Sequence, residues 1–73
     1  HQTVALTHDI PDAGLQLGDL GVVVAIHDPE NYEVEFVAAS GRTQSRLTLS
    51  RSSLREIGDQ ELIAVRSLAT ANP

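Results

Sequence analysis

Two runs of alternating apolar residues on either side of a turn sequence constrain this chain most. Val22, Val24 and Ile26 recur at every second position, and so do Tyr32, Val34 and Phe36. Period two in β-branched and aromatic residues marks half-buried strands. Asp28-Pro29-Glu30-Asn31 lies between them and supplies the chemistry of a hairpin turn. Asp28 can accept a hydrogen bond from the backbone two residues on, and Pro29 presets φ for a type I turn. Asn31 is predicted to take the left-handed conformation that closes a three-residue loop. In that register the inward pairs are Ile26 with Val34 and Val24 with Phe36.

The flanking residues extend the pattern. Val4 and Leu6 predict a first strand from Thr3 to about His8, followed by a turn at Pro11-Asp12-Ala13-Gly14. Gly18 and Gly21 bracket a bend, with Gly21 expected at a bulge or where another backbone comes close. After Val37 the chain turns again through Ala38-Ala39-Ser40-Gly41. From Arg42 to Ser50, Thr43, Ser45, Leu47 and Leu49 share one face, with Arg42, Gln44, Arg46 and Thr48 on the other. Placing Phe36 opposite Thr43 sets Glu33 against Arg46, and a slip of one residue would bury two arginines. Ser50 to Leu54 reads as a helical or 3₁₀ turn capped by Ser50 or Ser52. Leu54 to Ile57 reads as a last strand that returns to the first.

Five short strands with these connections predict an all-β fold, a small SH3-like five-stranded barrel over residues 1–58, with a C-terminal tail over 59–73. An OB-type barrel is the alternative, although it needs longer strands and an intervening helix. In the tail, Leu62, Val65 and Ala69 lie at helical spacing, whereas Ile63 and Val65 could alternate in a strand; a short helix is the expectation. Seventy-three residues make one domain, which buries only roughly 60% of its unfolded surface. Only Tyr32 and Phe36 carry large rings, so Val, Leu and Ile must fill the core. The chain has no cysteine, so no disulfide or thiolate metal site can reinforce it. No apolar run reaches the roughly 18 residues of a membrane span, and no leader pattern precedes the first strand. The opening His1, in place of Met, is expected of a trimmed N-terminus.

Formal charge is −5, with ten acidic residues against five basic ones. Nucleic-acid affinity comes largely from basic contacts to phosphate, so the composition disfavours such a partner. Arg42, Arg46, Arg51 and Arg55 are the residues that could form a local basic stripe of the KOW kind. His8-Asp9 and His27-Asp28 could hold a divalent metal if the fold joined them, but their spacing matches no compact motif. They are read as exposed strand-end residues. Ser50, Ser52 and Ser53 lack a nucleophile elbow, and Gly18-Asp19-Leu20-Gly21 lacks the Lys and Ser or Thr of a phosphate loop. Catalytic, cofactor and metal sites are therefore not expected, nor is a ligand-sized cavity. The acidic residues Asp28, Glu30, Glu33 and Glu35 instead gather at the central turn and on the outer face of the third strand. They form a candidate surface for a basic protein partner. Leu62, Ile63, Val65 and Leu68 are many apolar residues for a free terminus; they either pack back on the barrel or join a second copy.

The segments Val4-Ala5-Leu6-Thr7, Gly14-Leu15 and Leu17-Gly18-Asp19-Leu20-Gly21-Val22-Val23-Val24 resemble a family of short bacterial proteins classed as a domain of unknown function. Tyr32-Glu33-Val34-Glu35-Phe36-Val37, Gly41-Arg42-Thr43, Leu47-Thr48-Leu49 and Leu54-Arg55 continue the likeness, which covers residues 3–57 and leaves out the tail. Val22 stands where the family often has Thr. The resemblance implies an SH3-like barrel in a stand-alone cytoplasmic protein, often encoded beside toxin-like or other uncharacterised genes. By association it implies an antitoxin or immunity role, and it supplies no catalytic residues. The expected function is a non-enzymatic protein-binding module. A KOW-like nucleic-acid binder and a structural accessory domain of a larger complex are the alternatives.

Overall fold

A computed structural model describes residues 2–68. Five antiparallel strands form one sheet in the order β4-β3-β2-β1-β5. They are β1 (Thr3–Leu6), β2 (Leu20–Asp28), β3 (Asn31–Val37), β4 (Thr43–Ser50) and β5 (Leu54–Glu56). As the sequence predicts, the last strand returns to the first, with Val4 opposite Glu56 and Leu6 opposite Leu54. Strands β4 and β5 are the two edges, and among the described residues no ladder joins them. The sheet is therefore open.

The core lies on one face of this sheet. Val4 and Leu6, Val23, and Val34 and Phe36 are at most 6% exposed and form one cluster with Leu15. Leu15 reaches it because residues 7–19 fold back over that face. Leu6 N–H donates to the Asp19 carbonyl, Gly18 N–H donates to the Leu6 carbonyl, and Ile10 and Leu15 exchange backbone bonds. A 3₁₀ turn at Pro11–Ala13 occupies the tip of this loop. Side chains of the size of Leu15 and Phe36 each contribute about 1.5–3 kcal/mol when fully buried.

The hairpin forms, but with the opposite phase at its start. Val23, not Val24, faces Val34, and Ile26 faces Tyr32 instead of Val34. Val24 is an extra residue between the Val23–Val34 and Ala25–Glu33 pairs, and this bulge reverses which side chains point inward. Before the bulge the odd positions are buried; after it Ile26 sits at the open end of the strand, 66% exposed. A second irregularity follows between Ile26 and Asp28. Gly21 fits this phase. A Cβ there would lie 2.6 Å from Val34 Cγ1 and 2.8 Å from Phe36 Cε2, so side chains, not another backbone, demand the glycine. The turn is also tighter than predicted. Only Pro29 and Glu30 separate the strands, and Asn31 begins β3 with negative φ, because the described residues other than glycine have no positive φ.

On β4 the predicted face is correct and the register differs by two. Phe36 faces Ser45, Val34 faces Leu47 and Tyr32 faces Leu49. A shift of two preserves the inward set, which is why alternation alone does not detect it. The loop sets the difference: Ala38 N–H donates to the Arg42 carbonyl across a short turn with Gly41 at φ 91°, and a bulge follows between Phe36 and Val37. A second 3₁₀ turn spans Arg51–Ser53 as expected. Ser50 is its N-cap residue but makes no side-chain cap bond; its hydroxyl meets those of Ser52 and Ser53 instead. The first strand stops at Leu6, short of His8. The predicted tail helix is absent: residues 57–68 contain no regular element, and Ala69 lies outside the described residues.

Candidate protein-binding surface

The four acidic residues occupy two neighbouring places. Asp28 and Glu30 sit at the hairpin tip, and Glu33 and Glu35 lie on the face of β3 opposite Val34 and Phe36. At the tip, Asp28 Oδ1 accepts the Glu30 N–H at 2.8 Å, and both carboxylate oxygens accept from Asn31 Nδ2 at 3.1 Å. These donors, the Asn31 amide foremost, hold the Asp28 carboxyl below the usual carboxylate range. The Asp28 bond to the backbone two residues on is the one its sequence predicts.

Along the outer face, Glu33 has two side-chain partners. Arg46 Nε donates to Glu33 Oε2, and His27 Nε2 lies 3.2 Å from Oε1. The bond from Arg46, followed by its charge, lowers the Glu33 pKa, with a smaller contribution from His27. The predicted Glu33–Arg46 pair exists, but as a diagonal contact, since the residue directly opposite Arg46 is Glu35. Glu35 accepts from Thr43 Oγ1 at 2.7 Å. The carboxylates of Asp28, Glu33 and Glu35 are therefore held by hydrogen bonds. They can present fixed acceptor oxygens to cationic side chains without first being ordered.

The other sequence candidates fall elsewhere. The His8 ring lies between the Asp9 carbonyl, 2.9 Å from Nδ1, and Ser53 Oγ, 2.9 Å from Nε2. A carbonyl can only accept, so Nδ1 donates to it, while Nε2 meets the Ser53 hydroxyl, which can act as either donor or acceptor. With the Thr7 N–H and Oγ1 bonds to the Ser53 and Ser52 carbonyls, this contact ties the end of β1 to the turn before β5. Asp9 Oδ1 accepts the Leu17 N–H, and Asp28 serves its own turn. Among the described residues no three His, Asp or Glu side chains gather as a metal site needs.

Two of the four arginines have carboxylate partners. Arg46 pairs with Glu33, and Arg55 Nη1 donates to Glu61 Oε1 at 2.7 Å. Arg51 sits in the second 3₁₀ turn, and Arg42 precedes β4.

One feature has no sequence signal. A groove of about 460 Å³ opens between the sheet and the tail, with Leu15, Leu20 and Phe36 on the sheet side and Ile63 and Leu68 on the tail side. Its size falls in the range of small-molecule pockets, but it is an open groove and not an enclosed cavity. The tail is held there by Arg66, whose Nε and Nη2 reach Asp19 Oδ1 and Oδ2 at 2.8 and 2.6 Å; Nη2 also donates to the Gly14 carbonyl at 3.1 Å. Nothing local to Arg66 or Asp19 announces a pair 47 residues apart in the chain.

The fold and its polar outer face define an all-β module built on one antiparallel sheet. The chain belongs to the DUF4926 family, a domain of unknown function, whose model matches residues 1–56. No curated protein and no solved structure matches it significantly. Among the described residues no helix is long and apolar enough to cross a membrane.

Proposed function

We propose that this chain is a non-enzymatic protein-binding module that occludes a partner with a basic surface, as an antitoxin or immunity protein does. One observation carries the reading: Asp28, Glu30, Glu33 and Glu35 lie together on the hairpin tip and outer face of β3, in a chain of net charge −5. Preorganised carboxylates of one sign steer a cationic partner and fix its register. The strand order, with a 3₁₀ turn leading into the last strand, supports reading the sheet as a partly open SH3-like barrel. A cytoplasmic setting follows from the family resemblance alone. The nucleic-acid reading is the weaker one, because ten acidic residues stand against five basic ones in the chain.

Affinity capture from the native extract, with nuclease-treated controls, tests the proposal. The expected result is one stoichiometric protein whose affinity falls more than about tenfold at low salt when Glu33 and Glu35 are both changed to Lys. Unchanged affinity removes this face from the interface. Recovery of nuclease-sensitive material favours the KOW-like reading.

A further inference from the structure

The two edges of the sheet are unequal. Strand β5 is three residues long and carries Arg55 and Glu56, the short and charged edge that resists pairing with another chain. Strand β4 runs for eight residues without Pro or Gly, and its one charge, Arg46, is tied to Glu33. Among the described residues no backbone group pairs with its outer side. Its core-facing Leu47 and Leu49 are only half-buried, whereas Val34 and Phe36 beside them are 0% and 2% exposed. A further strand at this edge is what would cover both leucines.

The hydrogen-bond parity fixes which residues of this edge can pair. Arg51 N–H donates to the Glu30 carbonyl at 2.8 Å, in step with the β3–β4 register. Leu47 and Leu49 therefore turn their backbone groups toward β3, and Arg46, Thr48 and Ser50 turn theirs outward. We infer that the β4 edge pairs with β4 of a second copy, antiparallel about a two-fold axis at Leu47, to make one ten-stranded sheet. In that register Arg46 and Thr48 of each copy exchange backbone bonds with Thr48 and Arg46 of the other. The two Leu47 side chains meet at a non-hydrogen-bonded position, where side chains approach most closely. Centring the pair on Arg46 would instead set two guanidinium groups face to face. Thr48 opposite Arg46 avoids this repulsion, so the strand is complementary to itself.

Thr48→Lys separates pairing from folding. Within one chain position 48 faces Glu33, so the new ammonium is attracted; across the interface it faces Arg46 and is repelled. Sedimentation velocity of the full chain is expected to give twice the 7.8 kDa chain mass at submillimolar concentration. T48K is expected to weaken the dimer at least about tenfold without lowering Tm, and Thr48→Pro, which removes an outward N–H, to do the same. As concentration rises, amide exchange should slow at Arg46, Thr48 and Ser50, while Leu47 and Leu49 stay protected throughout. A monomeric mass up to millimolar concentration overturns the inference. So does a dimer that survives both substitutions, because it must use another surface.

Discussion

Val4, Ala5 and Leu6 of β1 are 2–3% exposed, whereas Leu62 and Val65 of the tail are 99% and 94% exposed. Both runs are short and apolar, so composition does not separate them. Their backbones do. Strand β1 is paired on both sides, with β2 and with β5, and its amides and carbonyls can leave water without penalty. Among the described residues, the tail beyond Ile57 has no ladder. It is fastened by side chains: Glu61 to Arg55 and to the Gly58 N–H, and Arg66 to Asp19 and Gly14. An apolar run is buried here only where a ladder removes its backbone from water and a second layer covers its side chains.

Core and tail substitutions should therefore differ most. Phe36→Ala removes the largest ring from the cluster and is expected to cost about 3–5 kcal/mol, comparable to the whole stability of so small a domain. Thermal melting by circular dichroism should then lose its cooperative transition, while Leu62→Ala and Val65→Ala stay within about 0.5 kcal/mol of the parent. Equal effects in the two regions would break the contrast. Gly21→Ala comes next. Its methyl group must displace Val34 or Phe36, at about 1–3 kcal/mol for an overpacked site. A neutral result would mean that the sheet opens there at little cost.

The same contrast explains what was legible in the sequence. Alternation located β1 to β4, because a half-buried strand writes its two faces into every second residue. It also assigned the inward face of β4 correctly. It could not place Val24, since a bulge reverses the phase while leaving an equally good pattern in Val22, Val24 and Ile26. Nor could it separate registers two residues apart; the Ala38–Arg42 turn made that choice. At the candidate surface, the carboxylates and the Glu33–Arg46 pair were legible as cross-strand neighbours. His27 is the extra residue between the Ile26–Tyr32 and Asp28–Asn31 pairs, and alternation gave no sign that its ring reaches Glu33. The helical spacing of Leu62, Val65 and Ala69 misled because periodicity predicts a helix only where something packs on its apolar face.

The smallest effects should come from the tail's own fastening, and acid is the way to release it. Arg66 holds the Asp19 carboxyl below the usual carboxylate range, chiefly through their hydrogen bond and with help from the Gln16 N–H; burial opposes this. A carboxylate whose pKa is depressed on folding stabilises the folded form above its unfolded pKa, and that contribution is lost as pH falls through the folded value. The tail should therefore be docked at neutral pH and detach below about pH 4, seen as faster amide exchange over Ile63–Leu68. Glu61 shifts in the same direction through Arg55, so the two fastenings loosen together. Asp19→Asn keeps an acceptor for the Gln16 N–H but removes the charge that Arg66 binds. In this variant the tail should exchange quickly at neutral pH and show a smaller acid response. The melting temperature of the sheet should move only a few degrees. Unaltered protection of the tail in Asp19→Asn would show that Ile63 and Leu68 hold it through the groove, making the apolar contact the primary fastening and the ion pair an accessory to it.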